Sequence, residues 1–422
     1  MAAYRIPSDL MAEILVRLPV RSLLRFKSVC KDWYTLINSS LFIQLHLNKS
    51  LLFNFRHNHT LFYTAYDSLC VVDDIYGPSK PIKLYWPTNI DIIRNSVDNI
   101  RSCLDDVCVD AVGSCNGLVC LCVSGGGFFS LNVMCFLICN PSTRTFKFKP
   151  NLPFSKFNCS ENEKLSCGFG YDGEHDDYKI VVTHTYFKKN VRDNDVYIYS
   201  FKADLWKCAT HTPAEGSTRS YDLKVDNKVV CANNMLHYIV SSHVNYNNDS
   251  NCKIARFDLS SETWKDNDLS FPAVVDRGWT YFELGVLDDC LYLCLEEKNG
   301  LHNVWVMKGY RDEDYSWSIK YNIPGNFHNL ALFSPLKEGP LRLLFVYRDF
   351  DYRDRTTHRV LWYNPQDATT ETFKLKLEQL SLYSLLRLCI TSSLVTIPGS
   401  SFDYIAQPGN DEDENKNHQL RF

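Results

Sequence analysis

Residue types that could do chemistry are present in this chain, but not at spacings that would put them to work. There are seventeen cysteines among 422 residues, an odd count. Cys103, Cys108, Cys115, Cys120, Cys122, Cys135 and Cys139 are scattered, no CxxC occurs, and Cys290 and Cys294 stand in "CLYLC", a strand pattern. A zinc site draws four thiolate or imidazole ligands from tight pairs, so these thiols read as reduced, buried, small hydrophobes of a reducing compartment. His57 and His59, beside Phe55, read as one face of a strand without a third ligand. Gly125, Gly126 and Gly127 precede neither Lys-Ser/Thr nor a helix and read as a flexible turn, not a phosphate cradle. No GxSxG nucleophile elbow occurs. Asp176 and Asp177 are the best candidates for the paired carboxylates that some propeller enzymes use, yet "GEHDDYK" reads as a solvated loop. No catalytic, cofactor-binding or metal residue is assigned, and no cofactor is expected.

What remains is positioning of another kind. The net charge of −4 gives no footprint for nucleic acid or a membrane surface. No apolar run approaches the roughly 18 residues of a membrane span. Asp9, Glu13 and Arg17 interrupt any export signal, so a cytoplasmic or nuclear location is expected and the N-x-S/T triplets at Asn38, Asn48, Asn58, Asn158 and Asn248 are chance matches.

The first residues differ from the rest. Pro7 suits a helix's first turn, with Ser8 or Asp9 able to satisfy free amides there. Leu10, Ile14 and Leu18 follow at helical spacing, widened by Met11 and Leu15, and Pro19 closes the helix. A second helix starts at Pro19 or Val20 and buries Val20, Leu23, Leu24 and Phe26. A third runs from about Ser28 to Ile37 with Val29, Trp33, Leu36 and Ile37 apolar. A unit of about 40 residues rarely folds without a staple or partner, so the body or a second protein should cover it.

The stretch "IPSDLMAEILVRLPVRSLLRFKSVCKDWYTLINSSLF" closely resembles the F-box, whose usual pattern is L-P-x-D-L, then I-L-x-R-L-P-V-x-S-L-x-R-F, then V-C-K-x-W. Ile6 replaces the commoner Leu. The resemblance implies docking onto a Skp-type adaptor and, through it, a cullin–RING ubiquitin ligase. Carried over by position, the adaptor-binding residues are Ile6, Pro7, Leu10, Ile14, Leu15, Leu18, Pro19, Leu23, Leu24, Phe26, Val29, Cys30 and Trp33. Helix-core packing competes with that reading, most strongly at Leu15, Leu24 and Val29.

The body repeats one phrase: apolar strand, turn, second strand, aromatic-centred segment. Its terminal aromatics, Phe146, Trp206, Trp264, Trp317 and Phe373, recur at roughly 50–60 residues, near the four-stranded kelch period. "CNPSTRTF", "DLSSETW" and "NPQDATTETF" supply turn chemistry between a blade's last two strands. Gly113, Gly168 or Gly170, and Gly285 suit close backbone approach near a central channel. "GSCNGLVCL", "GFGYDGEHDDYKIV" and "VWVMKGY" also resemble the F-box-associated domain of plant F-box proteins, a kelch-like propeller.

The expected fold is therefore α+β and multidomain: a three-helix F-box (1–48), an all-β propeller of six or seven blades (49–400) and an acidic disordered tail (401–422). Phe42 to about Ser50 should continue as helix into a first strand at "LLFNF". The last blade should be shared between residues 51–110 and a C-terminal strand, closing the ring.

The implied function is substrate recognition in a Skp–cullin–F-box ligase, without bond chemistry of its own; the competing reading is a propeller enzyme or a scaffold. "SLLRLCITSSLVTIP" and the acidic tail are similar to the S-locus F-box proteins of plant self-incompatibility, which would imply an S-RNase target. Immune-regulating relatives would imply an immune receptor. The "YRDFDYRDRTTHRV" insertion and the shortened "CANNMLHYIV" depart from the S-locus pattern. Client contacts are sought in the polar connectors near Ser155–Lys164, Lys188–Asp195, Thr210–Asp222, Ser242–Asn251 and Arg348–His358. The last is favoured, through Arg348, Phe350, Tyr352, Arg353 and Arg355.

Overall fold

The computed structural model describes residues 7–53, 59–64, 68–72, 82–85, 107–125, 133–149, 164–188, 191–210, 222–223, 229–241, 252–272, 279–287, 290–297, 300–309, 315–324, 330–331, 343–349, 357–364, 367, 369–377, 389–391, 393–398 and 404–405. The head has four helices, not three: α1 (Ser8–Leu15), α2 (Val20–Phe26), α3 (Lys31–Asn38) and α4 (Ser40–Phe53). Pro7 stands at the N-cap of α1 and no side chain caps it, contrary to the expectation for Ser8 or Asp9. Ser39 separates α3 from α4, donating to the Leu36 carbonyl (2.8 Å) and accepting the Phe42 N–H (3.3 Å). Helix α4 runs through "LLF", so the strand expected there is corrected and the 48/49 boundary falls inside a helix.

Strands β1 (His59–Thr64), β2 (Ser68–Val72) and β3 (Ile82–Tyr85) belong to the first sheet, blade I. Blade II is β4 (Val107–Cys115), β5 (Leu118–Gly125), β6 (Val133–Asn140) and β7 (Thr145–Lys149). Blade III is β8 (Lys164–Asp172), β9 (Asp177–Lys188), β10 (Val191–Ser200) and β11 (Leu205–Thr210). In blade IV both edge positions are split, with β12 (Asp222–Leu223) and β13 (Val230–Ala232) pairing β14 (Met235–Ser241), and β16 (Thr263–Trp264) and β17 (Leu269–Ser270) pairing β15 (Cys252–Asp258). Blade V is β18 (Trp279–Leu287), β19 (Cys290–Glu297), β20 (Leu301–Lys308) and β21 (Ser316–Pro324). Blade VI is β22 (Leu330–Ala331), β23 (Leu343–Asp349), β24 (Thr357–Asn364) and β25 (Thr369–Leu377). Last come β26 (Cys389–Thr391), which pairs β1 as the fourth strand of blade I, and β27 (Tyr404–Ile405), which pairs β7 outside blade II. Among the described residues the strands thus form six sheets. The expected terminal sharing is observed, and β27 places a short strand inside the 401–422 segment expected as an acidic disordered tail.

First strands of successive blades touch one another, β4 with β8, β8 with β13, and β13 with β18, so they line the axis. Blades III, IV and V carry packed apolar side chains on both faces. In β9, Ile180 and Val182 pack toward blade II while Val181 packs toward blade IV. Blades IV and V meet through Ile239, Ile254, Leu291 and Leu293. The glycine expectation holds on β8, and on β18, where a Cβ on Gly285 would strike the Tyr292 ring. A Cβ on Gly168 would come within 2.7 Å of Leu236 and 2.8 Å of Val229, and one on Gly170 within 2.6 Å of Cys231.

Four hairpins share one turn. Asn140, Asp172 and Asp258 each accept two backbone N–H bonds from the residues two and three ahead, while Ser200 accepts one from Ala203. Each turn's last residue takes a left-handed conformation: Arg144 (φ 58°), Asp176 (φ 51°), Glu262 (φ 56°) and Asp204 (φ 54°). The shortened "CANNMLHYIV" forms the tight hairpin β13–β14, with Asn233 (φ 50°) and Asn234 (φ 65°) at its tip.

Candidate functional site

The head's two apolar layers come from neighbouring rows of the same helices. Leu15, Val16, Val20, Leu23, Ile37 and Phe42 form its closed core, joined by Leu394 from the far end of the chain. Half-buried around them lie Met11, Leu18, Leu24, Phe26 and Trp33, with the Phe26 and Trp33 rings 5.3 Å apart. Cys30 caps α3 through its sulfur, which accepts the Trp33 N–H at 3.5 Å. Helix α4 is tied back to α1 by Lys49 on Glu13 (2.8 Å), and to the link between α1 and α2 by His46, whose Nε2–H donates to the Leu18 carbonyl (3.0 Å). Burial lowers the His46 pKa despite that bond.

Outside this core stands an uncovered row. Leu10 is 57 % exposed, Ile14 52 % and Val29 59 %, with Pro7 and Cys30 also exposed. Of the sequence-predicted docking residues, these five face solvent, and Leu18, Pro19, Leu24, Phe26 and Trp33 are half-buried. Leu15 and Leu23 are closed inside the head (1 % and 0 % exposed) and offer no surface, so both are corrected to core. Ile6 lies outside the described residues. Tyr34, Leu41 and Leu51 are further exposed apolar residues that sequence reasoning passed over. For Leu41 and Leu45 the available signal was helical spacing along the segment expected to continue as helix from Phe42.

A model of the F-box domain matches residues 4–45, and a model of the F-box associated beta propeller domain matches residues 82–340. The chain belongs to the F-box proteins with an associated β-propeller. Among its curated relatives, the Arabidopsis thaliana F-box/kelch-repeat protein At3g23880 is 29 % identical over 76 % of this chain and 80 % of its own length. F-box protein CPR1 of the same plant is 28 % identical over 78 % and 76 %, and F-box protein At5g49610 is 26 % identical over 74 % and 77 %.

The propeller's candidate carboxylates are committed to architecture. Asp177 is buried, accepting from the Ser200 hydroxyl (2.6 Å) and the Lys202 N–H (2.8 Å), which corrects its reading as a solvated loop residue. Asp176 is exposed and accepts from the Tyr171 hydroxyl (2.6 Å). Beside them lies a network, centred on the buried Asp172 and Lys179, that sequence reasoning missed. Asp172 binds Lys179 (2.8 Å), Ser260 (2.6 Å) and His175 (2.8 Å); Lys179 also reaches Glu262 (2.9 Å) and the Leu259 carbonyl (2.6 Å). Burial pushes the Asp172 pKa up, but hydrogen bonds from Lys179, Ser260 and His175 outweigh it and hold the carboxyl well below its usual range. The network joins a turn of blade III to a turn of blade IV. Burial likewise raises the thiols of Cys120, Cys139 and Cys294, and that of Cys135 to about 12, leaving them poor nucleophiles.

The F-box head sits at a defined end of this propeller. Turns between first and second strands, and between third and fourth, share one end, as the bonds between the turns of blades III and IV require. Asn116 and Asn140, from two such turns of blade II, hold the 393–398 segment that meets the head. Connectors between second and third strands, and between blades, leave from the opposite end. Four of the five predicted client connectors start there: 150–163, 211–221, 242–251 and 350–356, all outside the described residues. The fifth is corrected, because the polar run at Lys188–Asp195 stays in the β9–β10 ladder to Lys188↔Val191. Arg348 lies in β23 opposite His358; Phe350, Tyr352, Arg353 and Arg355 lie outside the described residues.

Proposed function

We propose that the chain is the substrate-recognition subunit of a Skp–cullin–F-box ubiquitin ligase, binding a Skp-type adaptor through Leu10, Ile14, Val29 and their neighbours. The observation that carries this reading is an apolar row left open on a head whose core is already full. Leu10 and Ile14 are not needed to fill the fold, and apolar side chains of this size contribute roughly 1.5–3 kcal/mol each when fully covered. Pro7, Cys30, Trp33 and Phe26 extend the same docking set.

The propeller then holds a client protein at the end facing away from the head, at which the strands flanking the long connectors terminate, and ubiquitin is delivered to it for proteasomal degradation. The chain contributes no bond chemistry; it raises the effective concentration of client lysines near the charged enzyme. The reading places the chain in the reducing cytoplasm or nucleus, in keeping with the free thiols of its described residues.

Co-purification with a Skp-type adaptor tests the docking half: wild-type chain should retain the adaptor, and L10D/I14D should lose it with the propeller intact. Ubiquitin-remnant mapping under proteasome inhibition tests the delivery half. Retention of the adaptor by the double variant would reject the docking face, and an adaptor-bound chain with no accumulating client would reject the delivery reading.

A further inference from the structure

Residues 393–398 touch both halves of the molecule. Leu394 is 3 % exposed and enters the head core between helices α1 to α4. Its neighbours on the chain face the other way. Val395 and Ile397 pack into the core between blades II and III. The amide of Asn140 donates to the Ser393 carbonyl (3.1 Å) and to the Val395 carbonyl (2.8 Å), so it grips the backbone on both sides of Leu394. Ser393, fully buried, donates its hydroxyl to the Asn116 carbonyl (2.7 Å). A single apolar side chain is thus pinned against the propeller by three hydrogen bonds and pushed into the head.

We propose that this segment is a positioning strap, with Leu394 and Asn140 setting the angle between the F-box head and the propeller, and so the direction in which a client's lysines are presented. The inference rests on the ligase reading for its purpose but not for its mechanics. A head joined only through α4 and the residues leading to β1 would hang on one covalent tether and sample many orientations. The strap adds a second, non-covalent attachment from the opposite end of the sequence, and two attachments remove the swing that one permits. Asn140 is well suited to this because its two ends are used separately. Its Oδ1 accepts from Ser142 and Thr143 to hold the turn, as Asp172 and Asp258 do in theirs, while its amide is free to hold the strap.

That division supplies the test. Asn140→Asp keeps the turn's acceptor and replaces the strap's donor with a carboxylate facing two carbonyl oxygens. Small-angle scattering of the full chain, without adaptor, should fit one rigid body for the wild type. It should show a larger radius of gyration and loss of the single-body fit for Asn140→Asp and Leu394→Asp, with Leu394→Met restoring the compact curve. Far-UV circular dichroism and adaptor capture should stay unchanged for Asn140→Asp, which separates a swinging head from an unfolded one. Scattering from Asn140→Asp that superimposes on wild type overturns the strap, whether or not Leu394→Asp folds. Loss of adaptor capture by the wild type would instead overturn the ligase reading and leave the strap standing.

Discussion

Leu10 and Leu23 lie thirteen positions apart in one resemblance-derived docking set, yet their burial separates them completely. The separation predicts different phenotypes. Leu10→Asp should abolish adaptor capture and leave thermal unfolding unchanged, whereas Leu23→Ala should cost about 2–5 kcal/mol of head stability, read by denaturant unfolding. Two titrating groups make a pH prediction. His237 is wholly buried, its Nδ1 3.1 Å from the Val230 carbonyl, and burial pushes its pKa down to about 4 from 6.5. The unfolded imidazole therefore takes a proton that the folded one refuses. Stability is full above about pH 6.5 and falls as pH drops toward 4. Asp172 acts lower: its contribution is present above the ordinary carboxylate pKa and is lost as pH falls below about 4. Urea midpoints between pH 7 and 5 should decline for wild type and flatten for His237→Asn. Lys179→Met should cost about 3–5 kcal/mol at pH 7, because it leaves the buried Asp172 charge with its main partner gone.

The elements show where local pattern suffices. Helices α1 and α2 were legible from Pro7, Pro19 and the spacing of Leu10, Ile14 and Leu23, since proline and helical period act within a few residues. Terminal aromatics were legible for the same reason, and Phe146, Trp206, Trp264, Trp317 and Phe373 all fall on the fourth strand position of their blades. Helix α4 beyond Ser50 was not, because "LLF" is apolar on every side and carries no period to tell helix from strand. The "KKNVRDND" run was misread because polar side chains at a strand's end do not interrupt a ladder made by the backbone. Nor could Asn140's second role be read, since its carbonyl partners lie more than 250 positions away and only the closed ring brings them near. Gly168 was found by rhythm and is explained by packing. Gly168→Ala should force Leu236 and Val229 aside and cost about 1–3 kcal/mol, as overpacking does; equivalent loss from Gly113→Ala is not expected, because its nearest neighbour would lie 3.5 Å away. Parallel thermal melts of the two variants check the contrast.

For the molecule as a whole, the late strands return twice to the early blades. β26 completes blade I against β1, and β27 adds to blade II against β7, so the C-terminal residues bridge the seam where the ring begins and ends. Removing everything after residue 388 would strip β26, the strap and β27 together. It would expose the edges of β1 and β7. The truncated chain should lose its single cooperative melt and become sensitive to limited proteolysis at blade I, while the turns between blades III and IV, held by Asp172 and Lys179, resist longest.

Leu394 also orders events in time. A ribosome releases the helices first, at about 5–20 residues per second, and the side chain that completes their interior, Leu394, follows only after the blades have been translated. An interrupted nascent polypeptide therefore carries an unfilled hole in its helical head, and only translation past Leu394 supplies the missing piece. Arrested chains ending before and after Leu394 should differ in protease resistance at α1 and α2, which makes completeness of synthesis a condition for a finished docking surface.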